Sequence, residues 1–164
     1  MTSTKQSVEI ERKFLIRELP PLAGLTSTTI QQGYFTKASD SLEVRLRRRD
    51  TEHFLTVKSP GTVQRSEIEV AISGDQFEEL WPATEGRRIE KIRYVGKLTQ
   101  DLTFELDIFS GRLAPLVVVE VEFPTLQAAQ AFAPPSWFGR DVSADIAFKG
   151  KTLAMCPSHT VALV

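Results

Sequence analysis

The chain has 164 residues, of which 41% are hydrophobic and 25% are charged, and its formal net charge is −1. This length and composition are typical of one globular domain with a single core. A nearly neutral chain has no overall field that attracts nucleic acid or an acidic membrane, so we predict neither as a partner and expect any anion site to be local.

Further bulk features place the protein in the cytoplasm. Cys156 is the only cysteine, so no internal disulfide can form. No apolar run approaches the roughly 20 residues of a membrane span, and residues 1–7 lack the apolar core of a signal peptide. We therefore predict a single cytoplasmic domain over residues 1–164, with a core from about 8 to 154 and flexible ends at 1–7 and 156–164.

The first predicted strand covers residues 8–14, and it separates charged from apolar side chains. Successive side chains of a strand point to opposite faces. One face carries Glu9, Glu11 and Lys13, and the other carries Val8, Ile10, Arg12 and Phe14. The first face is a candidate site for metal ions and a polyanion if it is enclosed.

Seven more stretches alternate in the same way, starting near residues 29, 42, 53, 64, 89, 102 and 116. Ser73 and Gln76 predict a capping box at the start of a short helix that Pro82 ends. Thr125 predicts the start of a second helix, which runs to about Phe132. A last helix is predicted over residues 148–155.

The eight strands have mostly hairpin-length connections, which favours an antiparallel all-β meander with a few helices. Eight strands can close into a barrel. The helices would then cover an apolar outer surface, and the charged faces would line the lumen. The alternative is an open sheet with one solvated, charged face.

The pattern of charged residues along the strands favours the barrel over the open sheet. Acidic residues form pairs two positions apart, and basic residues do the same. These pairs are Glu9/Glu11, Glu105/Asp107, Glu120/Glu122, Arg45/Arg47 and Lys91/Arg93. Like charges repel and would not stabilise a solvated sheet. A site that binds divalent metal through carboxylates and phosphate through Arg and Lys explains both signs.

These motifs resemble the CYTH superfamily, also called triphosphate tunnel metalloenzymes. The stretch Glu-Ile-Glu-Arg-Lys at 9–13 matches the family's ExExK signature. Later strands follow in the family's order, and they include the segments 32–34, 43–47, 56–58, 67–69, 90–94, 105–109 and 119–123. The resemblance spans residue 8 to about 154 and is closest to the short bacterial members, some of which are inorganic triphosphatases. It implies an eight-stranded antiparallel tunnel.

The resemblance also implies roles for individual residues. Metal ions, Mg²⁺ or Mn²⁺ and two in number, would be held by Glu9, Glu11, Glu105, Asp107, Glu120 and Glu122. Triphosphate would be bound by Lys13, Arg45, Arg47, Lys58, Arg65, Lys91 and Arg93. The catalytic candidates are Tyr34, Lys58, Glu67 and Glu69.

Two of these residues carry a specific hypothesis. Tyr34 and Lys58 would form a pair in which the ammonium lowers the pKa of the phenol for proton transfer. The alternative for Tyr34 is a hydrogen-bonding residue of the tunnel wall. We expect Arg12, Arg48 and Arg49 to be exterior or rim charges, and His53 and His159 to be non-catalytic.

The segment 145–150 departs from the family pattern. Related short members carry basic and aromatic residues after an acidic one, whereas here Ile146, Ala147 and Phe148 follow Asp145. This leaves open whether the last helix closes the tunnel. Lys149 and Lys151 remain candidates for substrate contact.

The activity implied by the resemblance is metal-dependent hydrolysis of inorganic triphosphate to pyrophosphate and phosphate. The alternatives are a class IV-type adenylate cyclase, a thiamine triphosphatase and a non-catalytic polyphosphate-binding module. The large carboxylate set disfavours the last of these. The expected partner is a small-molecule triphosphate, and a monomer and a homodimer are both compatible with the sequence.

Overall fold

The protein is a closed β-barrel with an added edge strand. The structure is a computed structural model that describes residues 4–156, so His159 and most of the tail predicted at 156–164 lie outside the described residues. The strands are β1 (Thr4–Ile16), β2 (Thr26–Tyr34), β3 (Glu43–Arg49), β4 (Glu52–Lys58), β5 (Gln64–Ile72), β6 (Arg88–Lys97), β7 (Thr103–Phe109), β8 (Val117–Glu122) and β9 (Phe138–Asp141). The helices are α1 (Gly74–Leu80), α2 (Leu126–Ala131) and α3 (Gly150–Met155).

The barrel closes through β1. The strand order is β5-β4-β3-β2-β6-β7-β8-β1, every pair is antiparallel, and β1 also pairs with β5. The first half of β1 (residues 4–10) pairs with β5, and residues 11–15 pair with β8. The prediction of an eight-stranded antiparallel barrel is therefore confirmed.

Two strand boundaries differ from the sequence expectation. β1 begins at Thr4, and residues 4–7 pair with residues 67–70, although we expected them to be a flexible end. We did not predict a strand there because the residues are polar, but backbone hydrogen bonds to β5 hold these residues in the sheet. β9 was not predicted, because its four residues show no alternation of apolar and polar side chains. It pairs with the end of β1.

The predicted starts of the first two helices are confirmed, whereas the third begins at Gly150 and not at Phe148. The backbone N–H of Gln76 donates to Ser73 Oγ at 3.1 Å, and the Gln76 side chain accepts from the Ser73 N–H at 2.9 Å. At α2, the Ala128 N–H donates to Thr125 Oγ1 at 3.0 Å. Both caps satisfy helix N–H groups that have no partner within the helix.

The outer apolar faces form a core beneath α2 and the segment that follows it. Phe14, Leu106, Val119 and Val121 are buried there against Phe138. The apolar residues of these strands therefore lie outside the barrel, as predicted. No helix within residues 4–156 is long and apolar enough to cross a membrane.

One end of the lumen is apolar and is closed by α3. The lumen-facing positions of five strands become apolar there: Leu15, Tyr34, Ile89, Phe109 and Val118. These residues form one buried cluster with Phe148, Leu153 and Ala154. The apolar substitutions in segment 145–150 thus include a residue that closes the tunnel, since Phe148 is 2% exposed.

Candidate functional site

The lumen contains a cavity of about 220 Å³ with a densely charged lining. Nine lysine and arginine side chains and eight glutamates line it. The basic residues are Lys5, Lys13, Arg45, Arg47, Arg49, Lys58, Arg65, Lys91 and Arg93, and the acidic residues are Glu9, Glu11, Glu43, Glu67, Glu69, Glu105, Glu120 and Glu122. All predicted site residues except Tyr34 and Asp107 are therefore on its wall, and Asp107 lies just behind it.

Strand alternation produces this lining. Charged side chains two positions apart along a strand point to the same side of the sheet. The antiparallel register then places Lys13 opposite Glu120, Glu9 opposite Arg65, and Glu105 opposite Glu120. The closed barrel thus encloses charged groups that an open sheet would expose to water.

One ion-pair network joins β1, β4 and β5. Lys58 Nζ lies 2.6 Å from Glu9 Oε2 and 3.0 Å from Glu67 Oε2. Arg65 lies 3.6 Å from Glu9 and 3.4 Å from Glu11. Lys58 is thus held between two carboxylates, which fixes its ammonium in the lumen.

A second network joins β6, β7 and β8 around Asp107, which is 1% exposed. Asp107 accepts from Lys91 Nζ at 2.6 Å and from Arg93 Nε and Nη2 at 2.7 and 2.8 Å. Arg93 also contacts Glu105 and, at 3.3 Å, Glu120. Lys13 lies 3.1 Å from Glu120. Burial alone would raise the pKa of Asp107, but Arg93 and Lys91 outweigh it and hold this pKa below its usual range.

Lys91, which is buried, and Arg47, which is half-buried, are held in the lumen at an electrostatic cost. Burial, together with Arg45 and Arg93, lowers the pKa of Arg47 to about 10. Burial also lowers the pKa of Lys91 to about 8, against the attraction of Asp107. Among the described residues, Arg47 has no carboxylate within ion-pair distance, and its Nε donates to Gln32 Oε1 at 3.3 Å. A bound polyanion would stabilise the charged forms of both residues.

Glu11 and Glu122 are also held at an electrostatic cost, because other carboxylates lie near them. Burial and Glu120 raise the pKa of Glu11, and burial with Glu9 and Glu105 raises the pKa of Glu122. No group of three or more His, Cys, Asp or Glu side chains within residues 4–156 is arranged to hold a metal ion. The donor set nevertheless fits a hard divalent cation, because such a cation would relieve the repulsion between these carboxylates.

The hypothesis of a Tyr34–Lys58 proton-transfer pair is wrong in this geometry. Tyr34 is fully buried, and its hydroxyl accepts from Gln32 Nε2 at 2.7 Å. Lys58 is engaged with Glu9 and Glu67 instead. Burial, followed by Glu43, raises the pKa of Tyr34 rather than lowering it. This arrangement matches the alternative of a hydrogen-bonding wall residue.

Sequence reasoning assigned no site role to three residues that line the cavity. Glu43 is 4% exposed, lies 3.0 Å from Arg45, and shares a strand face with Arg45 and Arg47. Its place on that face was the signal that could have identified it. Gln32 is 2% exposed and bonds to Arg47. Lys5 lies in the part of β1 that was expected to be flexible.

The charges expected outside the lumen lie on the outer surface or the rim. Arg12 pairs with Asp141 at 2.6 Å, and Arg48 pairs with Glu78. Arg49 lies at the open mouth, paired with Glu52 at 3.1 Å. His53 contacts Phe77 outside the barrel, with ring centroids 4.9 Å apart and the ring planes tilted by 49°.

A closed antiparallel barrel with acidic and basic side chains along its lumen defines a tunnel protein, and this chain belongs to the CYTH family, whose domain matches residues 7–132. It is 54% identical over 147 residues to the inorganic triphosphatase of Nitrosomonas europaea, covering 90% of this chain and 97% of that protein. It is 33% identical over 151 residues to the inorganic triphosphatase of Acetivibrio thermocellus, covering 91% and 94%. A crystal structure of an inorganic triphosphatase superposes with a TM-score of 0.71 at 51% identity, covering 92% of this chain and 96% of that one.

Proposed function

We propose that this protein hydrolyses inorganic triphosphate to pyrophosphate and phosphate inside its tunnel. The observation that carries the proposal is the enclosed cavity with its nine basic side chains. Most of its lining residues are charged, and its aromatic lining residues are Phe109 and Phe148, both near the plugged end. This lining suits phosphate groups and offers little surface for a nucleobase or a thiamine ring. It therefore favours inorganic triphosphate over ATP or thiamine triphosphate.

Substrate binding draws on cations that the folded protein holds in place. Arg47 and Lys91 have pKa values below their usual range, so a bound polyanion would restore their full charge. Arg45, Arg93 and Lys58 are positioned by carboxylate partners. Charge-assisted hydrogen bonds from such groups are strong in an enclosed site of low dielectric.

The proposed cofactor is Mg²⁺ or Mn²⁺, with two ions in the tunnel. Glu11 and Glu122 would hold metal first, because burial and neighbouring carboxylates already raise their pKa values, and Glu9, which pairs with Lys58, would bind the metal beside them. The predicted ligands Glu105, Asp107 and Glu120 contact Arg93 in the folded protein and would exchange that partner for the ion. When bound, a divalent ion neutralises phosphate oxygens and lowers the pKa of a water nucleophile.

The chain's own residues then orient the reactants. Phosphoryl transfer depends chiefly on positioning and on stabilising charge. Lys58 would orient the phosphoryl group, since Glu9 and Glu67 fix its ammonium from two sides. Glu67 and Glu69 lie on the same β5 wall of the cavity and would position the attacking water.

The proposal is tested by following phosphate and pyrophosphate release from inorganic triphosphate, ATP and thiamine triphosphate, with Mg²⁺, Mn²⁺ or EDTA. We expect rapid turnover of inorganic triphosphate that EDTA abolishes. Lys58→Met should lose this activity. Lys97→Met, which removes an exposed lysine at the end of β6, should retain it. Release of pyrophosphate from ATP with formation of cyclic AMP would identify a cyclase instead. Tight triphosphate binding with no turnover would identify a binding module.

A further inference from the structure

A second basic pocket lies at the plugged end of the tunnel, beyond Arg65 and Glu43. It has a volume of about 160 Å³ and is formed by the 40–41 loop, the turn at 59–61 and the start of α3. Its cations are Arg65, Lys149 and Lys151. Because Arg65 and Glu43 also line the main cavity, the two spaces share a wall.

Lys149 and Lys151 differ in their partners from three lysines of the main cavity. Lys13, Lys58 and Lys91 each have a carboxylate oxygen within 3.1 Å. Within residues 4–156, neither Lys149 nor Lys151 has a carboxylate within ion-pair distance. Lys149 Nζ donates to the Gly61 carbonyl at 2.9 Å, and Lys151 Nζ donates to the Asp40 carbonyl at 2.5 Å.

Within residues 4–156 the charges of Lys149 and Lys151 are therefore not paired with a carboxylate, whereas Arg65 pairs with Glu9, Glu11 and Glu43. Lys151 is only 8% exposed, and a buried ammonium without a counter-charge is costly. Burial, Arg65 and Lys151 lower the pKa of Lys149, which shows that the neighbouring cations repel it. The lining has two acidic side chains, and both have other partners than the two lysines. Asp40 accepts from the Lys37 N–H at 2.7 Å, and Glu43 pairs with Arg45 and Arg65.

We infer that this pocket binds a phosphate group, held by Lys149, Lys151 and Arg65 and by the hydroxyl of Ser41. Lysine ammonium groups and hydroxyls are ordinary donors to phosphate oxygens. The inference rests on the proposed triphosphatase activity for its role. The phosphate is either the free orthophosphate product or the terminal group of a chain longer than three phosphates.

The first experiment detects binding without turnover. Inorganic orthophosphate is titrated into metal-free, ¹⁵N-labelled protein, and shifts of the backbone amides at residues 40–41 and 59–61 are followed. We expect Lys149→Met and Lys151→Met each to weaken the affinity at these amides at least about fivefold. Lys37→Met is the matched control, because it removes an exposed lysine at the same end of the barrel, and it should leave the affinity unchanged. Lys151→Arg keeps the charge and should keep binding if Lys151→Met fails to fold.

The second experiment distinguishes the two sources. If the ligand is free product, orthophosphate inhibition of triphosphate hydrolysis weakens in the Lys149→Met and Lys151→Met variants, and the KM ratio of tetrapolyphosphate to triphosphate stays constant. If it is the end of a longer chain, the KM for tetrapolyphosphate rises and the KM for triphosphate does not. Wild-type affinity at the 40–41 and 59–61 amides in both lysine variants would overturn the pocket and leave the triphosphatase proposal intact. If the protein had no hydrolase activity, the orthophosphate titration would still test whether the pocket binds phosphate.

Discussion

Glu11 on β1 and Glu122 on β8 are directly opposite each other in the strand register. Like charges at opposed positions destabilise a sheet, and both residues have raised pKa values. Burial and Glu120 raise the pKa of Glu11, and burial, Glu9 and Glu105 raise that of Glu122, so a cation bound beside this pair would reduce repulsion among these carboxylates.

Glu122→Gln should lower the affinity for the activating metal at least about tenfold. The change removes one carboxylate from the opposed pair while keeping the side chain's size. Stability should not fall, since a repulsion is removed. The metal concentration that gives half-maximal hydrolysis, together with Tm in EDTA, measures both effects.

The control for this metal prediction is Glu90→Gln. Glu90 is on the outer surface of β6, where it accepts from Gln31 at 3.0 Å. The Glu90→Gln variant should need the same metal concentration as wild type for half-maximal hydrolysis. An unchanged requirement in Glu122→Gln would remove Glu122 from the metal ligands.

Arg47→Met should raise the KM for triphosphate and also raise Tm. A hydrogen bond to a charged group contributes about 1.5–3 kcal/mol, or roughly tenfold to a hundredfold in KM. Stability should increase because Arg47 is a half-buried cation with a depressed pKa and no carboxylate partner among the described residues. The neighbouring Arg48→Met, on the outer face beside Glu78, should leave KM unchanged. A fall in Tm for Arg47→Met would contradict this account of its burial.

Triphosphate affinity should decrease as pH rises through about 8, the pKa of Lys91. The ammonium attracts the anion and the neutral amine does not, so this contribution falls by up to about tenfold per pH unit above that value. Calorimetry on metal-free protein measures it. In Lys91→Met, affinity should be lower at neutral pH, and the difference from wild type should shrink at high pH. A constant difference would show that Lys91 does not titrate in this range.

Stability should respond to Lys91 in the opposite direction. The folded pKa of about 8 lies below the ordinary value of 10.5, so between these values the unfolded chain binds more protons than the folded one. The Lys91 contribution to the free energy of unfolding therefore increases with pH across this window. Urea unfolding of wild type and Lys91→Met over the same pH range separates this contribution from that of other groups.

Gly150→Ala should destabilise the plugged end of the barrel by about 1–3 kcal/mol. A Cβ at this position would overlap the Tyr34 hydroxyl and lie 3.4 Å from Gln32 Nε2. Either α3 or Tyr34 must move, and the Gln32 contact to Arg47 would be disturbed, so KM should rise as Tm falls.

Gly74→Ala is the matched control for this prediction. A Cβ at Gly74 would meet His53 at an ordinary 3.5 Å, and alanine favours the helix by up to about 1 kcal/mol. It should keep or raise Tm. Equal Tm values for Gly150→Ala and wild type would show that α3 does not pack tightly on Tyr34.

The sequence by itself determined the eight strands, the capped starts of α1 and α2, and the charged face of each strand. These features are local: alternation with a period of two, and a Ser or Thr next to a helix start. The motif beginning at Glu9 and the repeats of its pattern were enough to identify the family resemblance and most of the charged residues that line the cavity.

Only the tertiary structure decided which charges meet. The partners of Lys58, Asp107 and Arg93 come from different strands, and their pairing depends on register and barrel closure. The environment of Tyr34 also depends on the tertiary structure. Tyr34 is buried and hydrogen-bonded to Gln32, and it is not a partner of Lys58. The pocket of Lys149 and Lys151 also needed the fold, since its walls are far apart in sequence. Pattern identifies which face a side chain occupies, whereas burial and pKa depend on what the closed barrel places across from it.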